Sequence, residues 1–291
     1  MINVKLNMPN FSIFTTMTNP EGRNDAWKEA IDCYQYFADE VIIVGESWPE
    51  EFSWEYIGQV FQEGYDKSNS DWVMRMDIDY YMHENDKLKL RKALKSYEDY
   101  PVLSFPQYQF FTPRRYQIKT RLCLLFNKKK FKNIKLNGGG DLTLATLDNI
   151  LIDPKKTPML NIPIYQYEST FRTKSIIEHD RARFARAWFR HFGNYQTRGG
   201  PTKEEAFNAW YEEICKRYPK HSFKLDLEKH PVFIKEKLSK LQSNQFGFNA
   251  FGLEDNTKFK KQFLIKGLKE KYVNPVTHSF SKNFYLNNDT K

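Results

Sequence analysis

Asp77 and Asp79 stand one residue apart in DWVMRMDIDYYMHE, residues 71–84. Trp72-Val73-Met74 and Met76 read as a buried strand, so the two carboxylates fall where that strand ends. In a strand, residues i and i+2 point to the same side. Two ionised carboxylates side by side repel unless a cation or a donor sits between them. Hard divalent cations such as Mg²⁺ and Mn²⁺ prefer oxygen ligands and often bridge to substrate phosphates. Ligands of open α/β sheets bind outside the carboxyl ends of the strands. The pair at such an end predicts a metal-bound diphosphate. A lone D-x-D would more simply be two solvated acids on a loop; its place after a third strand and before a helix is what favours the site.

Other groups could do chemistry. Asn137-Gly138-Gly139-Gly140-Asp141 is a glycine-rich loop, which allows close approach of backbone to a ligand and makes Asp141 a candidate general base. The same stretch also reads as a plain turn. It is not a Walker loop, since no Gly-Lys-Ser/Thr follows, and it does not match G-x-G-x-x-G. Asp148 and Glu168 are further carboxylates. Arg183, Arg186 and Arg190 fall at i, i+3, i+7 in HDRARFARAWFRH, on one helix face. That face could meet phosphates or dock peripherally on an anionic membrane. The favoured reading is a helix packed by Phe184, Ala187, Trp188 and Phe192 with a solvated basic face. His83 reads as a helix-start residue, and Lys128-Lys129-Lys130 as a charged turn. His221 and His230 have no partner at metal-ligand spacing, and no Ser-His-Asp or Cys-His arrangement stands out.

These residues need a frame. The chain has 291 residues, 40% of them hydrophobic and 16% aromatic, enough for one sizeable core. Phe11–Thr16 reads as a buried first strand and Asn19–Gly22 as a turn. Asn24 or Asp25 would cap a helix to about Ala38, with Trp27, Ala30, Ile31 and Tyr34 on its apolar face. Val41–Gly45 is the second strand, residues 53–67 a second helix, and Trp72–Met76 the third strand. A helix at about 84–97 places Leu88, Leu90 and Leu94 in the core. Strands follow at Val102–Phe105, Tyr108–Phe111, Arg121–Phe126 and Asn161–Tyr167. About 171–191, 202–217, 231–241 and 256–270 read as helices. The expected fold class is α/β, a mixed or parallel nucleotide-binding sheet flanked by helices over residues 1–167, with a basic, mainly helical annex over 168–291.

Here the residues resemble a family. The strand–helix–strand–helix–strand order ending in an aspartate pair is similar to nucleotide-sugar-dependent glycosyltransferases of the type A fold, closest to family 2-like members. In these a D-W-V strand runs into D-x-D and then His-Glu, as Asp71-Trp72-Val73, Asp77-Ile78-Asp79 and His83-Glu84 do here. A second match is Ile164-Tyr165-Gln166-Tyr167 followed by Arg172 and Lys174, and a weaker third is His230-Pro231. The resemblance covers roughly residues 10–240. It implies that Asp79 contacts a divalent cation, Mn²⁺ or Mg²⁺, and that Asp77 reaches the ribose or the metal through water. It also implies that Thr15, Thr16 and Thr18 line the nucleotide pocket and that Glu46 receives a base or ribose donor. Arg172 or Lys174, near the expected site, would meet the diphosphate. Two departures matter. Tyr80 stands where relatives carry an acid, and Gln166 stands where they carry a metal-ligating histidine. Gln166 can offer a carbonyl oxygen, a weaker ligand than imidazole. Asp141, then Glu168, are the candidate bases.

The expected function is metal-dependent transfer, with inversion, of a sugar from a UDP- or GDP-sugar to a glycan or other hydroxyl acceptor. A degenerate nucleotide-sugar binder is a second reading. A nucleic-acid-binding protein or nuclease is a third, because residues 151–291 carry 26 Lys+Arg against 15 Asp+Glu while residues 1–150 carry 19 against 21. No nucleic-acid motif appears, so no such partner is expected. Three dispersed cysteines, no CxxC pair, no secretory apolar segment and no membrane-length run predict a cytoplasmic protein.

Overall fold

A computed structural model describes residues 8–137, 144–256 and 261–268. The first half runs β1 (Phe11–Thr16), α1 (Trp27–Phe37), β2 (Glu40–Val44), α2 (Trp54–Lys67), β3 (Trp72–Asp77), β4 (Tyr80–Tyr81) and α3 (Lys87–Ser96). Then come β5 (Val102–Thr112), β6 (Arg115–Asn127), β7 (Ile134–Asn137), β8 (Leu144–Leu147), β9 (Ile150–Leu151) and β10 (Ile164–Gln166). The remainder holds α4 (Lys174–Phe192), α5 (Lys203–Arg217), β11 (Phe223–Lys224), α6 (Val232–Ser239), α7 (Phe246–Asn249), α8 (Leu253–Asn256) and α9 (Lys261–Leu268).

The main sheet is mixed, in the order β2-β1-β3-β6-β5-β10-β4, with β11 added to β6. β1 is parallel to both β2 and β3, and β10 to β5, while β6 runs antiparallel to β3 and β5. The alternation of β1 decides its two faces. Phe11 and Ile13 pack on the side of α1, and Phe14 packs on the side of α2. Gly64 lets α2 approach that face, since a Cβ there would stand 2.3 Å from the Phe14 ring. β7, β8 and β9 form a separate three-stranded sheet that packs on α2.

The expected α/β class holds, with several local corrections. The two strands predicted over 102–111 are one, because the chain passes Pro106 through register shifts rather than a break. Neither Asn24 nor Asp25 caps α1, which starts after Ala26 without a side-chain cap. Asn24 instead donates to the Phe171 carbonyl, and Asp25 pairs with Arg172. Leu90 and Leu94 are buried as expected, but Leu88 is 73% exposed. Within residues 168–256, β11 joins the main sheet, and α4 pairs with α5 beside it.

Candidate active site

A cavity of about 280 Å³ opens at the carboxyl ends of β1, β3 and β10, near the small end of the ~300–1,000 Å³ range of ligand clefts. The sheet register assembles it. Thr16 lies opposite Asp77, and Gln166 lies opposite both Gln109 and Tyr80. Helix α4 closes the other wall with Asp180, Arg181, Arg183 and Phe184. Its apolar lining is Trp48, Phe52, Ile57, Phe61 and Phe184. Its polar lining includes Thr16, Thr18, Asp77, Asp79, Gln166, Glu168 and a set of arginines.

β3 ends at Asp77, and Ile78-Asp79 form the turn into β4. The two carboxylates thus share the cavity through a turn rather than through strand alternation. The turn is pinned from behind. The Tyr34 hydroxyl on α1 reaches the carbonyls of Asp77 at 2.6 Å and Tyr80 at 3.0 Å, and the Tyr167 amide donates to the Asp79 carbonyl at 3.0 Å. Arg75, 1% exposed and two residues before Asp77, shares its strand face. Its Nη2 donates to Asp77 Oδ1 at 2.5 Å, and its guanidinium lies 4.1 Å from the Phe61 ring centroid.

A chain of amides reaches Asp79 from the sheet. Gln117 Nε2 donates to Gln109 Oε1 at 2.8 Å, and Gln109 Nε2 donates to Glu168 Oε2 at 3.0 Å. Gln107 Nε2 and Gln109 Nε2 both point at Gln166 Oε1, at 2.5 and 3.4 Å. Gln166 Nε2 then donates to Asp79 Oδ2 at 3.3 Å. Gln107, Gln109 and Gln166 are each at most 2% exposed. Glu168 also accepts from Arg181 Nη2 at 2.6 Å. Burial pushes the Glu168 carboxyl up, but Arg181, Lys119 and Arg217 outweigh it and bring it down to about 2. Ser169 follows with φ +59°, a left-handed conformation rare for a residue with a side chain. Its buried hydroxyl has no hydrogen-bond partner among the described residues.

Opposite stands a closed ion cluster. Arg172 donates through Nε and Nη2 to Asp25 Oδ1, at 2.9 and 2.6 Å, and through Nη1 to Asp180 at 3.0 Å. Arg23 bridges the same two aspartates at 3.0 and 3.4 Å. Burial pushes the Asp25 carboxyl up, and Arg172 and Arg23 pull it below its usual value. Burial likewise opposes the charge on Arg172, and Asp25 and Asp180 overcome it and raise its pKa.

The residues expected to hold a divalent cation do not fit one as they are set. Gln166 turns an N–H toward Asp79, while its carbonyl oxygen is taken by Gln107 and Gln109. Asp77 is engaged by the Arg75 guanidinium. Among the described residues, no group of three or more His, Cys, Asp or Glu side chains could hold a metal ion.

No family model matches the chain, and no curated protein does. Solved structures give distant likenesses. S. aureus TarS 1-349 superposes at a TM-score of 0.31 with 12% identity, over 71% of this chain and 79% of that one. The same TarS fragment in complex with UDP-GlcNAc gives 0.32 and 13%, over 71% and 80%. A glycosyltransferase involved in glycosylation of the major capsid of PBCV-1 gives 0.25 and 14%, over 34% and 52%. Likeness at this level leaves the chemistry of the chain to be read from its own residues.

The cavity brings together Thr16, Thr18, Asp77, Asp79, Gln166, Glu168 and Arg172. Thr15 is not among its lining residues. It is fully buried on the other face of β1, and its hydroxyl has no partner among the described residues. Strand alternation sends it away from Thr16. Glu46 is exposed and also outside the lining. Asp141 lies outside the described residues. His83 accepts from the Asn85 amide at 3.3 Å, as a helix-start residue does. The arginine face of α4 is neither free for phosphate nor simply solvated. Arg186 and Arg190 pair with Glu51, and Arg183 donates to the Pro49 and Glu50 carbonyls. They clamp the loop that carries Trp48 and Phe52. Lys128 is more than a turn residue, since its Nζ donates to the Tyr65, Asp66 and Ser68 carbonyls at the end of α2. No helix among the described residues is long and apolar enough to cross a membrane.

Sequence reasoning missed Arg75, Asp25, Asp180, Arg181 and Gln109. Arg75 left a signal: an arginine inside the apolar run Trp72–Met76, in phase with Asp77, has to be paired. Gln107 and Gln109 left a weaker one, two amides in phase on an otherwise apolar strand.

Proposed function

We propose that the chain transfers a sugar from a nucleotide-sugar donor to a hydroxyl acceptor. The observation that carries this reading is the mixed lining of the cavity. Its aromatic residues, Trp48 and Phe52 among them, suit the flat face of a nucleobase. Its arginines and carboxylates, at the carboxyl ends of β1, β3 and β10, suit a ribose and a diphosphate. In this reading Thr16, opposite Asp77 in the sheet, meets the ribose. Stabilising charge that builds up on a leaving diphosphate is the main task of such a site.

Transfer with inversion also needs a base for the acceptor hydroxyl. Glu168, held near 2 by its cations, takes up a proton poorly at neutral pH and serves better as an anchor. Asp141 carries the base role in this reading. The test is a thermal-shift panel of UDP, GDP, CMP and their sugar conjugates, since a ligand of the native state raises Tm by mass action. One nucleotide should raise Tm in the wild type and in Asp141→Asn, while Asp141→Asn loses sugar transfer. No shift with any nucleotide, in a folded protein, would remove the reading.

A further inference from the structure

We propose that this site takes the diphosphate of its nucleotide without a divalent cation, because an amide chain anchored on Glu168 turns a donor rather than a ligand oxygen toward Asp79. The proposal rests on the nucleotide reading above.

The orientation of the chain follows from its two ends. An ionised carboxylate only accepts hydrogen bonds. Glu168 therefore requires the N–H side of Gln109, and the Gln109 oxygen, facing away, accepts from Gln117. The amide nitrogen of Gln109 also faces Gln166, which must answer with its oxygen. Gln107 presses a second N–H on that same oxygen. Gln166 is left with its N–H pointing outward, and the group it meets is Asp79, again an acceptor. Each contact agrees with the next from both directions. Turning Gln166 to offer oxygen would set its N–H against that of Gln109. Turning Gln107 with it would satisfy the Gln107 oxygen, which has no partner among the described residues, but would leave the conflict with Gln109 in place.

Asp77 has its own charge partner, the buried Arg75. The donor from Gln166 and the guanidinium of Arg75 thus do the work that a shared cation would do between two acids. Arg181 remains to meet the phosphate. Five arginines line the cavity, with Asp25, Asp77, Asp79, Glu168 and Asp180. Their formal charges cancel, so recognition comes from guanidinium fork geometry rather than from a net field. Arg181 is the best placed. It engages Glu168 through Nη2, and its guanidinium is steadied 4.9 Å from the Trp210 ring centroid.

The test is calorimetric titration of UDP and of GDP into the full chain, first in EDTA and then with Mn²⁺. The nucleotide that binds should do so with a Kd unchanged within about twofold. Mn²⁺ alone, followed by its paramagnetic resonance signal, should show no saturable binding. Gln166→His, which puts an imidazole beside Asp79, should make nucleotide binding tighten about tenfold or more on adding Mn²⁺. Nucleotide binding by the wild type that needs Mn²⁺, or saturable Mn²⁺ binding abolished by Asp79→Asn, overturns the proposal and leaves the nucleotide reading standing. A folded chain that binds no nucleotide in either buffer overturns both.

Discussion

The two walls of the cavity solve the same problem, buried polarity, in opposite ways. On one wall, Arg23 and Arg172 face Asp25 and Asp180 in a closed set where each charge answers another. On the other, neutral amides span the distance between two carboxylates, Glu168 and Asp79. Closed ion sets are costly to break, because removing one member strands a buried charge. Amide chains cost less to break but transmit direction, since each group fixes how the next one points. The first wall is suited to holding shape and the second to setting what Asp79 shows to a ligand.

Four measurements would break or sharpen this contrast. Among the substitutions Arg172→Ala should have the largest effect, because it leaves Asp25 and Asp180 facing each other with less compensation. Denaturant unfolding should show a loss of about 3–5 kcal/mol. Acid acts on the whole fold rather than on one wall. His230 sits between the Tyr167 hydroxyl at 2.7 Å and the Pro113 carbonyl at 2.8 Å, and burial lowers it to about 4. His221, stacked on Phe111, is lowered by burial to about 3. Both folded values lie below the free value of about 6.5, so the unfolded chain gains protons first as pH falls. Stability should therefore decline from pH ~6.5 downward, by about 1.4 kcal/mol per pH unit for each histidine until its folded value is passed. Glu168 adds to the loss later, between its ordinary value and about 2. A Tm series from neutral to acid pH checks the order.

Gln109→Leu should cost about 1–3 kcal/mol, the range for buried polar groups left without a partner. It should also free Gln166 to turn, so nucleotide binding in that variant should respond to Mn²⁺. A variant that loses stability but stays indifferent to Mn²⁺ would show that the chain only packs. Arg186→Ala should have the smallest effect, below about 1 kcal/mol, since its pair with Glu51 is partly exposed. A larger loss would mean that the loop bearing Trp48 depends on that clamp.

Much of the frame was legible. The order from β1 to β3 follows from apolar runs and turn signals, and the aspartates fall where the third strand ends. Gln166 could be placed beside them only by resemblance, since nothing local says that β10 lies next to β4. What stayed hidden was set by contacts between distant residues. Arg172 and Asp25 are 147 positions apart, and Gln109 and Glu168 are 59 apart. Asp25 read as a helix cap because a cap is the local use of an aspartate before an apolar run. The arginines of α4 read as a free face because Glu51, their partner, lies 135 positions upstream of Arg186. The β7–β9 sheet was missed because its strands are two to four residues long.

The clamp between α4 and the Glu50-Glu51 loop also bears on how the molecule is made. The loop emerges early in synthesis, and the helix that fixes it emerges much later. Until then the aromatic residues of the loop have no α4 to rest on, and the parallel pairing of β10 with β5 must also wait. Long-range closure of this kind slows folding and lengthens the time apolar surface stays exposed. The cavity is thus among the last parts of the chain to take shape, and a nascent chain cut short before α4 would carry its two aspartates without a site around them.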